Sequence, residues 1–453
     1  MKIDPAIFKA YDIRGIYPSQ INAEVVYKIV RAYVEFVKPK NVVVGTDMRL
    51  SGEEFKQAAI KGLTEARVDV VDIGLVSSDQ FYFGVCHLKT DGGIMATASH
   101  NPKEYGGLKL VKEEAIPISG DSGIYEIRDL VNSDLRFKIS DSKGKVEKAD
   151  ITEAYYQHVL SKFDVSKFRP LKIVANTNFG MATPAINHLK KVLPVKFIEV
   201  INGRLDGSFP KGRPDPLRSE TRAETSAIIK KLKPDLGVAW DGDADRCFFF
   251  DENGEFVTPA YINALLSEYY LKKFPGGKVL HDTRVYRVID NAIQKSGGIS
   301  IPAVAGHSFI KERMIKEGAV FGSETSGHYY FKENFYLDNG LLPFLAVLDI
   351  LSSSNQSFSQ ILAPLRSKFY ISEEINFEFK NPNILEDIKN HYQKAEIGEL
   401  DGLDICFPDW RVSVRKSNTE NLLRINLEAN SKELLEAKIE EVTNLVSDLS
   451  SRT

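Results

Sequence analysis

Two apolar runs bracket six residues in which every second side chain is a carboxylate. Leu236-Gly237-Val238-Ala239-Trp240 precedes Asp241-Gly242-Asp243-Ala244-Asp245-Arg246, and Cys247-Phe248-Phe249-Phe250 follows it. Short apolar runs bounded by turn formers read as buried strands. The acids therefore lie on a tight loop between two core strands, where three like charges repel unless a cation neutralises them. Hard divalent ions take oxygen ligands, and Mg²⁺ prefers a few carboxylates plus phosphate oxygens. Asp241, Asp243, Asp245 and Glu252 also fall at the ligand positions of an EF-hand calcium loop. That reading fails because Arg246 replaces the turn glycine and an apolar strand follows at once. A solvated acidic turn is the bland alternative.

Three further segments combine turn formers with chemistry. In Thr97-Ala98-Ser99-His100-Asn101-Pro102, a short buried strand over Asp91 to Ala96 enters a turn that Pro102 fixes. Ser99 is expected at an exposed bend, with His100 beside it as acid or base; a surface turn is the plain alternative. Gly322-Ser323-Glu324-Thr325-Ser326-Gly327-His328 has glycines that allow a tight loop, and polar tips in Glu324, Ser326 and His328. Arg415-Lys416-Ser417-Asn418-Thr419-Glu420-Asn421 mixes fixed positive charge with small hydroxyl and amide groups. That mixture suits a phosphate, which arginine binds in bidentate fashion. Either of these last two segments could equally be a polar hairpin turn.

A chain of 453 residues is too long for one hydrophobic core, so three or four domains are expected. Strand-like and helix-like runs alternate at 41–45, 53–65 and 68–74, at 171–176, 184–192 and 195–200, and at 278–283, 285–295 and 299–304. Such alternation predicts α/β layers. Near Ser367-Lys368 the pattern changes to alternating residues over 374–379, then a helix, two strands and a final helix over 432–449, an α+β layout. Polar stretches at 140–145 and 251–255 mark the other boundaries, giving domains at 1–145, 146–251, 252–366 and 367–453.

The net charge of −3 gives no basic excess to suggest nucleic acid as a partner. Cys86, Cys247 and Cys406 are widely spaced and read as reduced core residues. The opening residues lack an apolar signal core, and the apolar run at 341–351 is too short to span a bilayer. A cytoplasmic enzyme with no membrane partner is the expectation.

Taken in order, the four segments resemble the α-D-phosphohexomutase family over essentially the whole chain. Further matches are Phe8-Lys9-Ala10-Tyr11-Asp12-Ile13-Arg14-Gly15, Gly45-Thr46-Asp47-Met48-Arg49, Tyr105-Gly106-Gly107-Leu108-Lys109 and Gly306-His307-Ser308. The contexts Trp240 to Cys247 and Gly306 to Lys311 look most like the phosphomannomutase or bifunctional phosphomannomutase/phosphoglucomutase members. The resemblance implies three similar mixed-sheet α/β domains plus a smaller C-terminal α+β domain around a central active-site cleft. It implies reversible conversion of hexose 1-phosphate and hexose 6-phosphate through phosphoserine at Ser99 and a hexose 1,6-bisphosphate, which also serves as activator.

The family's metal loop maps onto Asp241, Asp243 and Asp245, which with Ser99 would hold Mg²⁺. Ser99, His100, Lys109, Arg14 and Arg246 would carry the catalysis. Lys109, crowded by cations, is expected to have a lowered pKa and to be available as a base. Tyr11, Arg284, Gly306, His307, Glu324, Ser326 and His328 would meet the sugar, and Arg415, Ser417, Asn418 and Thr419 the phosphate that is not transferred. Gly106, Arg284, Thr325 and Asn421 depart from common family residues, and two of these, Arg284 and Thr325, touch sugar choice. Mannose, glucose and glucosamine phosphates therefore stay open as substrates, with a Mg²⁺-dependent sugar phosphatase as the more distant alternative. The implied enzyme is a monomer or homodimer.

Overall fold

The computed structural model describes residues 3–133, 140, 142–416 and 422–450. The chain forms two compact units, one of residues 1–257 with 326–357, the other of 258–325 with 358–453.

The first unit holds two mixed sheets. One runs in the order Ile13–Ile16, Tyr105–Lys112, Gly92–Ala96, Asn41–Thr46, Asp69–Leu75, Val146–Lys148. Its first two pairings are antiparallel and the rest parallel. The central strands are buried on both faces and accordingly read as unbroken apolar runs. Asn22 starts the helix Ala23–Val37 by accepting from the backbone N–H groups of Glu24 and Val25. Ser77 and Gln80 form a capping box at the start of the helix Ser78–Leu88, which fixes Ser78 at its first turn.

The second sheet runs Phe256–Val257, Cys247–Phe250, Leu236–Trp240, Lys172–Asn176, Lys196–Ile201. The two strands read from the sequence are its antiparallel hairpin, and every residue of both is buried. Trp240 is fully buried, its indole N–H donating to the Gly340 carbonyl at 2.7 Å. Its ring meets Phe344 of the helix Leu342–Ser352 edge-on at 5.5 Å. Removing one such large side chain from water is worth about 1.5–3 kcal/mol, so the hairpin that carries the acids is firmly anchored.

In the second unit, Lys278–Asp282 lies parallel to Ile299–Ala303 on one side and Phe321–Ser323 on the other. The helices Pro259–Lys273, Arg287–Lys295 and His307–Glu317 accompany them. The C-terminal sheet is antiparallel, ordered Tyr370–Ile371, Leu422–Ala429, Trp410–Lys416, Leu403–Cys406, Glu396–Gly398, with Ile375–Glu378 also on Leu422–Ala429. Among the described residues four strands, not two, separate the helix Ile384–His391 from the closing helix Lys432–Ser450. The extra pair, Glu396–Gly398 and Leu403–Cys406, is too short for alternation to reveal it. Among the described residues no helix is long and apolar enough to cross a membrane.

Candidate active site

The residues singled out in the sequence divide between the two units. Tyr11, Arg14, Ser99, His100, Lys109, Asp241, Asp243, Asp245, Arg246, Ser326 and His328 belong to the first. Arg284, Gly306, His307, Glu324 and Arg415 belong to the second. Ser417, Asn418 and Thr419 lie outside the described residues.

In the first unit the serine loop leaves the strand Gly92–Ala96 and meets the acidic loop between Leu236–Trp240 and Cys247–Phe250. The Ser99 hydroxyl lies 3.0 Å from Asp241 Oδ2 and 3.1 Å from His100 Nδ1. Its backbone N–H donates to Thr97 Oγ1 at 3.0 Å. Ser99 is only 1% exposed, not at the surface bend expected from its turn-forming neighbours. The cause is the close approach of the acidic loop: a Cβ on Gly242 would lie 2.6 Å from the Ser99 carbonyl oxygen. Ser99 has a φ of +48°, in the left-handed region, which costs a residue with a side chain about 1–2 kcal/mol.

Asp241, Asp243 and Asp245 each offer an oxygen, all within 4.8 Å of one another, and all three are buried. Burial and the other two carboxylates push Asp241 well above the usual carboxylate range. Burial also opposes the charge on Asp245, yet Lys109 and His328 outweigh it and hold that group well below the range. Asp243 Oδ1 and Asp245 Oδ1 are buried with no hydrogen-bond partner among the described residues. Converging buried oxygens with unused lone pairs fit a small hard cation such as Mg²⁺.

Lys109 Nζ donates to Asp243 Oδ2, Asp245 Oδ2 and the hydroxyl of Ser78. The surroundings expected of it are reversed. Burial does disfavour the ammonium, but the two carboxylates prevail and raise its pKa well above the usual lysine value. His100 moves the opposite way: burial, then Arg246, Arg14 and Arg213, holds it well below the usual imidazole value, so the ring is neutral.

Arg246 Nε lies 3.8 Å from Asp241 Oδ2 and donates to His328 Nε2 at 3.3 Å. His328 Nδ1 faces Ser326 Oγ at 3.1 Å. His328 Nε2 is also 3.6 Å from Asp245 Oδ1 and 4.0 Å from Asp338 Oδ2, and Asp245, His328 and Asp338 form a second buried cluster of ligand atoms. Arg14 pairs with Asp12 and reaches the Ala98 carbonyl and Asn101 side chain, so it braces the loop around Ser99. Tyr11 is half-buried just before that pair.

In the second unit Arg284 Nη2 lies 2.5 Å from Asp282 Oδ2 and 3.3 Å from Glu324 Oε2. Glu324 also accepts from the Gly306 N–H at 3.0 Å. Gly306, at φ +136°, caps the helix that begins with His307. Thr325 is tied to Asp282 through its N–H and hydroxyl. Arg415 pairs with Glu374 at 3.5 Å, and burial, then Arg284, lowers its pKa. Arg284 moves the other way: burial opposes its charge, but Asp282 and Glu324 prevail and raise its pKa.

Sequence reasoning missed Ser78, Thr97, Asp47, Asp338 and Arg213. Ser78 is an ordinary hydroxyl residue marked by its approach to Asp243 Oδ2, and Thr97, quoted in the serine motif without a role, lies 3.3 Å from the same oxygen and accepts from the Ser99 N–H. Asp47, which accepts from Thr97 Oγ1, was visible in the Gly45 to Arg49 motif but without a role.

Family models for the phosphoglucomutase/phosphomannomutase α/β/α domains I, II and III match residues 5–138, 153–254 and 258–369, and the model for the C-terminal domain matches 374–445. A phosphomannomutase of Vibrio cholerae serotype O1 is 42% identical, covering 98% of each chain. A phosphomannomutase of Escherichia coli strain K12 is 39% identical over 97% of this chain and 99% of its own. The crystal structure of a phosphoglucomutase/phosphomannomutase family protein from Burkholderia thailandensis superposes with a TM-score of 0.89 at 30% identity, covering 99% of this chain and 98% of its own.

Proposed function

This chain belongs to the phosphoglucomutase/phosphomannomutase family, and from that premise we propose that it interconverts the 1- and 6-phosphates of mannose and glucose through phosphoserine at Ser99 and a hexose 1,6-bisphosphate. The family assignment makes it a phosphohexomutase, an isomerase that moves phosphate within one sugar. The observation that carries the serine route is the 3.0 Å approach of the Ser99 hydroxyl to Asp241, inside a buried triad of carboxylates.

In each transfer the Ser99 Oγ–P bond breaks as a sugar O–P bond forms, or the reverse. The sugar hydroxyl gives up a proton and Oγ gains one. His100 Nδ1, 3.1 Å from Oγ, is placed to take part in that proton transfer. Lys109, which donates to Asp243 and Asp245, offsets the charge of the carboxylates. Arg246 orients His328, which is assigned to the sugar hydroxyl. Mg²⁺ held by Asp241, Asp243 and Asp245 would supply charge stabilisation for the phosphoryl oxygens. Arg415 is assigned to the phosphate that is not reacting, and Arg284 and Glu324 to the sugar. For both phosphates of the bisphosphate to reach one serine, the sugar must turn end over end between transfers.

Bisphosphate-stimulated isomerisation of mannose 1-phosphate and glucose 1-phosphate tests the proposal, with glucosamine 1-phosphate as the alternative substrate. Release of inorganic phosphate in place of isomerisation would establish a phosphatase instead.

A further inference from the structure

Five consecutive carbonyls of the serine loop, Ala98 through Pro102, each accept from an arginine. Arg14 reaches Ala98. Arg49 Nη2 donates to Ser99 and Asn101, each at 2.6 Å, and Nη1 to Pro102 at 3.0 Å and Tyr105 at 3.1 Å. Arg213 Nε donates to His100 at 2.9 Å. All four terminal N–H bonds of Arg49 therefore end on carbonyls of one loop.

Arg49 is sealed in place. Its side chain is 1% exposed, its Nε is 3.6 Å from Asp47 Oδ2, and its guanidinium carbon lies 5.0 Å from the ring centre of Phe209. Such a group is shut off from substrate and acts only through what it holds. What it holds needs holding: Ser99 sits at φ +48°, a conformation a serine keeps only where its surroundings over-determine it. Relaxation to an ordinary φ would rotate the side chain away from Asp241. The planar fork of a guanidinium fixes several acceptors in one geometry, whereas an ammonium on a flexible stem does not.

We propose that Arg49 and Arg213 are positioning residues for phosphoryl transfer: by gripping the carbonyls on either side of Ser99 they set its hydroxyl against the acidic loop. This rests on Ser99 being the phosphoryl carrier. Arg213 comes from the turn Arg213-Pro214-Asp215, 113 residues away in sequence, and its charge is shared with Asp215 at 3.5 Å.

Arg49→Lys and Arg213→Gln are compared with the wild-type protein for kcat and KM on glucose 1-phosphate with Mg²⁺ and bisphosphate, for thermal midpoint, and for amide hydrogen exchange over residues 97–105. Misplacement of a reacting group by about 1 Å costs about 100-fold, so kcat falls by about that factor in Arg49→Lys and by about tenfold in Arg213→Gln. KM stays within about threefold, and exchange over 97–105 quickens in both. A purely structural role would lower the thermal midpoint and leave the kcat of the folded enzyme intact. Wild-type kcat in Arg213→Gln, or a loss seen only in KM, overturns the proposal, and Arg213→Gln decides alone if Arg49→Lys does not fold. If the wild-type protein itself shows no turnover, the mutase assignment falls, and hydrogen exchange still decides the positioning: unchanged exchange in both variants overturns it.

Discussion

Lys109 Nζ lies 2.7 Å from Asp243 Oδ2, and both side chains are at most 5% exposed. A cation and an anion so deeply buried depend on each other, because removing one partner leaves an uncompensated charge out of water, typically at a cost of about 3–5 kcal/mol. Lys109→Met is therefore expected to lose about that much stability in chelator. Mg²⁺, by replacing the missing charge, should restore more stability to the variant than it adds to the wild type. Urea unfolding with and without Mg²⁺ checks this; equal Mg²⁺ effects on both proteins would separate Lys109 from the metal site.

Ser99→Ala should lose at least about 10³-fold in kcat, since a missing nucleophile removes the covalent route altogether. Its fold should be intact, because alanine reaches the same backbone conformation at similar cost. Intact-mass spectrometry should also show the added phosphoryl group in the wild type and its absence from the variant.

Asp241→Asn, Asp243→Asn and Asp245→Asn should each weaken Mg²⁺ binding by at least about tenfold, as changes even one shell further out commonly do. Calorimetric titration of Mg²⁺ gives the comparison without reference to turnover. Wild-type affinity in all three would reduce the triad to an acidic turn.

Arg415→Ala should raise KM alike for mannose and glucose substrates, with a loss of about 1.5–3 kcal/mol in kcat/KM for one charged hydrogen-bonding contact. Changes at Glu324 should instead alter the ratio between the two sugars. Steady-state kinetics of both variants on both sugars separates anchor from selector.

Asp79 is buried against Tyr155 and the first turn of the helix Ser78–Leu88, and burial raises its pKa to about 6. A carboxyl raised in the folded state binds more protons there than when unfolded, so its contribution is complete below about pH 4 and is lost as pH rises towards 6. Across that window Asp79→Asn should remove a slope of at most about 1.4 kcal/mol per pH unit. Urea unfolding of both proteins at pH 4.5, 5.5 and 7 reads the difference.

Much of the molecule was legible because local pattern and tertiary role coincide. Leu236–Trp240 and Cys247–Phe250 are apolar without interruption and are buried strands to the residue. The acids between them could hardly be anywhere but on a connecting loop. Where the surroundings come from distant sequence, local reading failed. Lys109 lies in the strand Tyr105–Lys112, close in sequence to cationic motifs, yet its partners are Asp243 and Asp245, more than 130 positions on. Ser99 reads as exposed because its neighbours form turns, whereas Gly242 and Arg49, distant in sequence, lie against it. Arg49 stood in a motif without a role and Arg213 went unnoticed, because carbonyl acceptors leave no trace in a sequence.

The missing side chain at Gly242 has a consequence for how variation can accumulate here. With 2.6 Å between the place of its Cβ and the Ser99 carbonyl, and the ligand candidates Asp241 and Asp243 on either side of it, the two loops meet at backbone contact. Nothing can be added on one side without displacing the other. A side chain at Gly242 would push on the Ser99 backbone, so nucleophile and acids are tied together through one backbone contact.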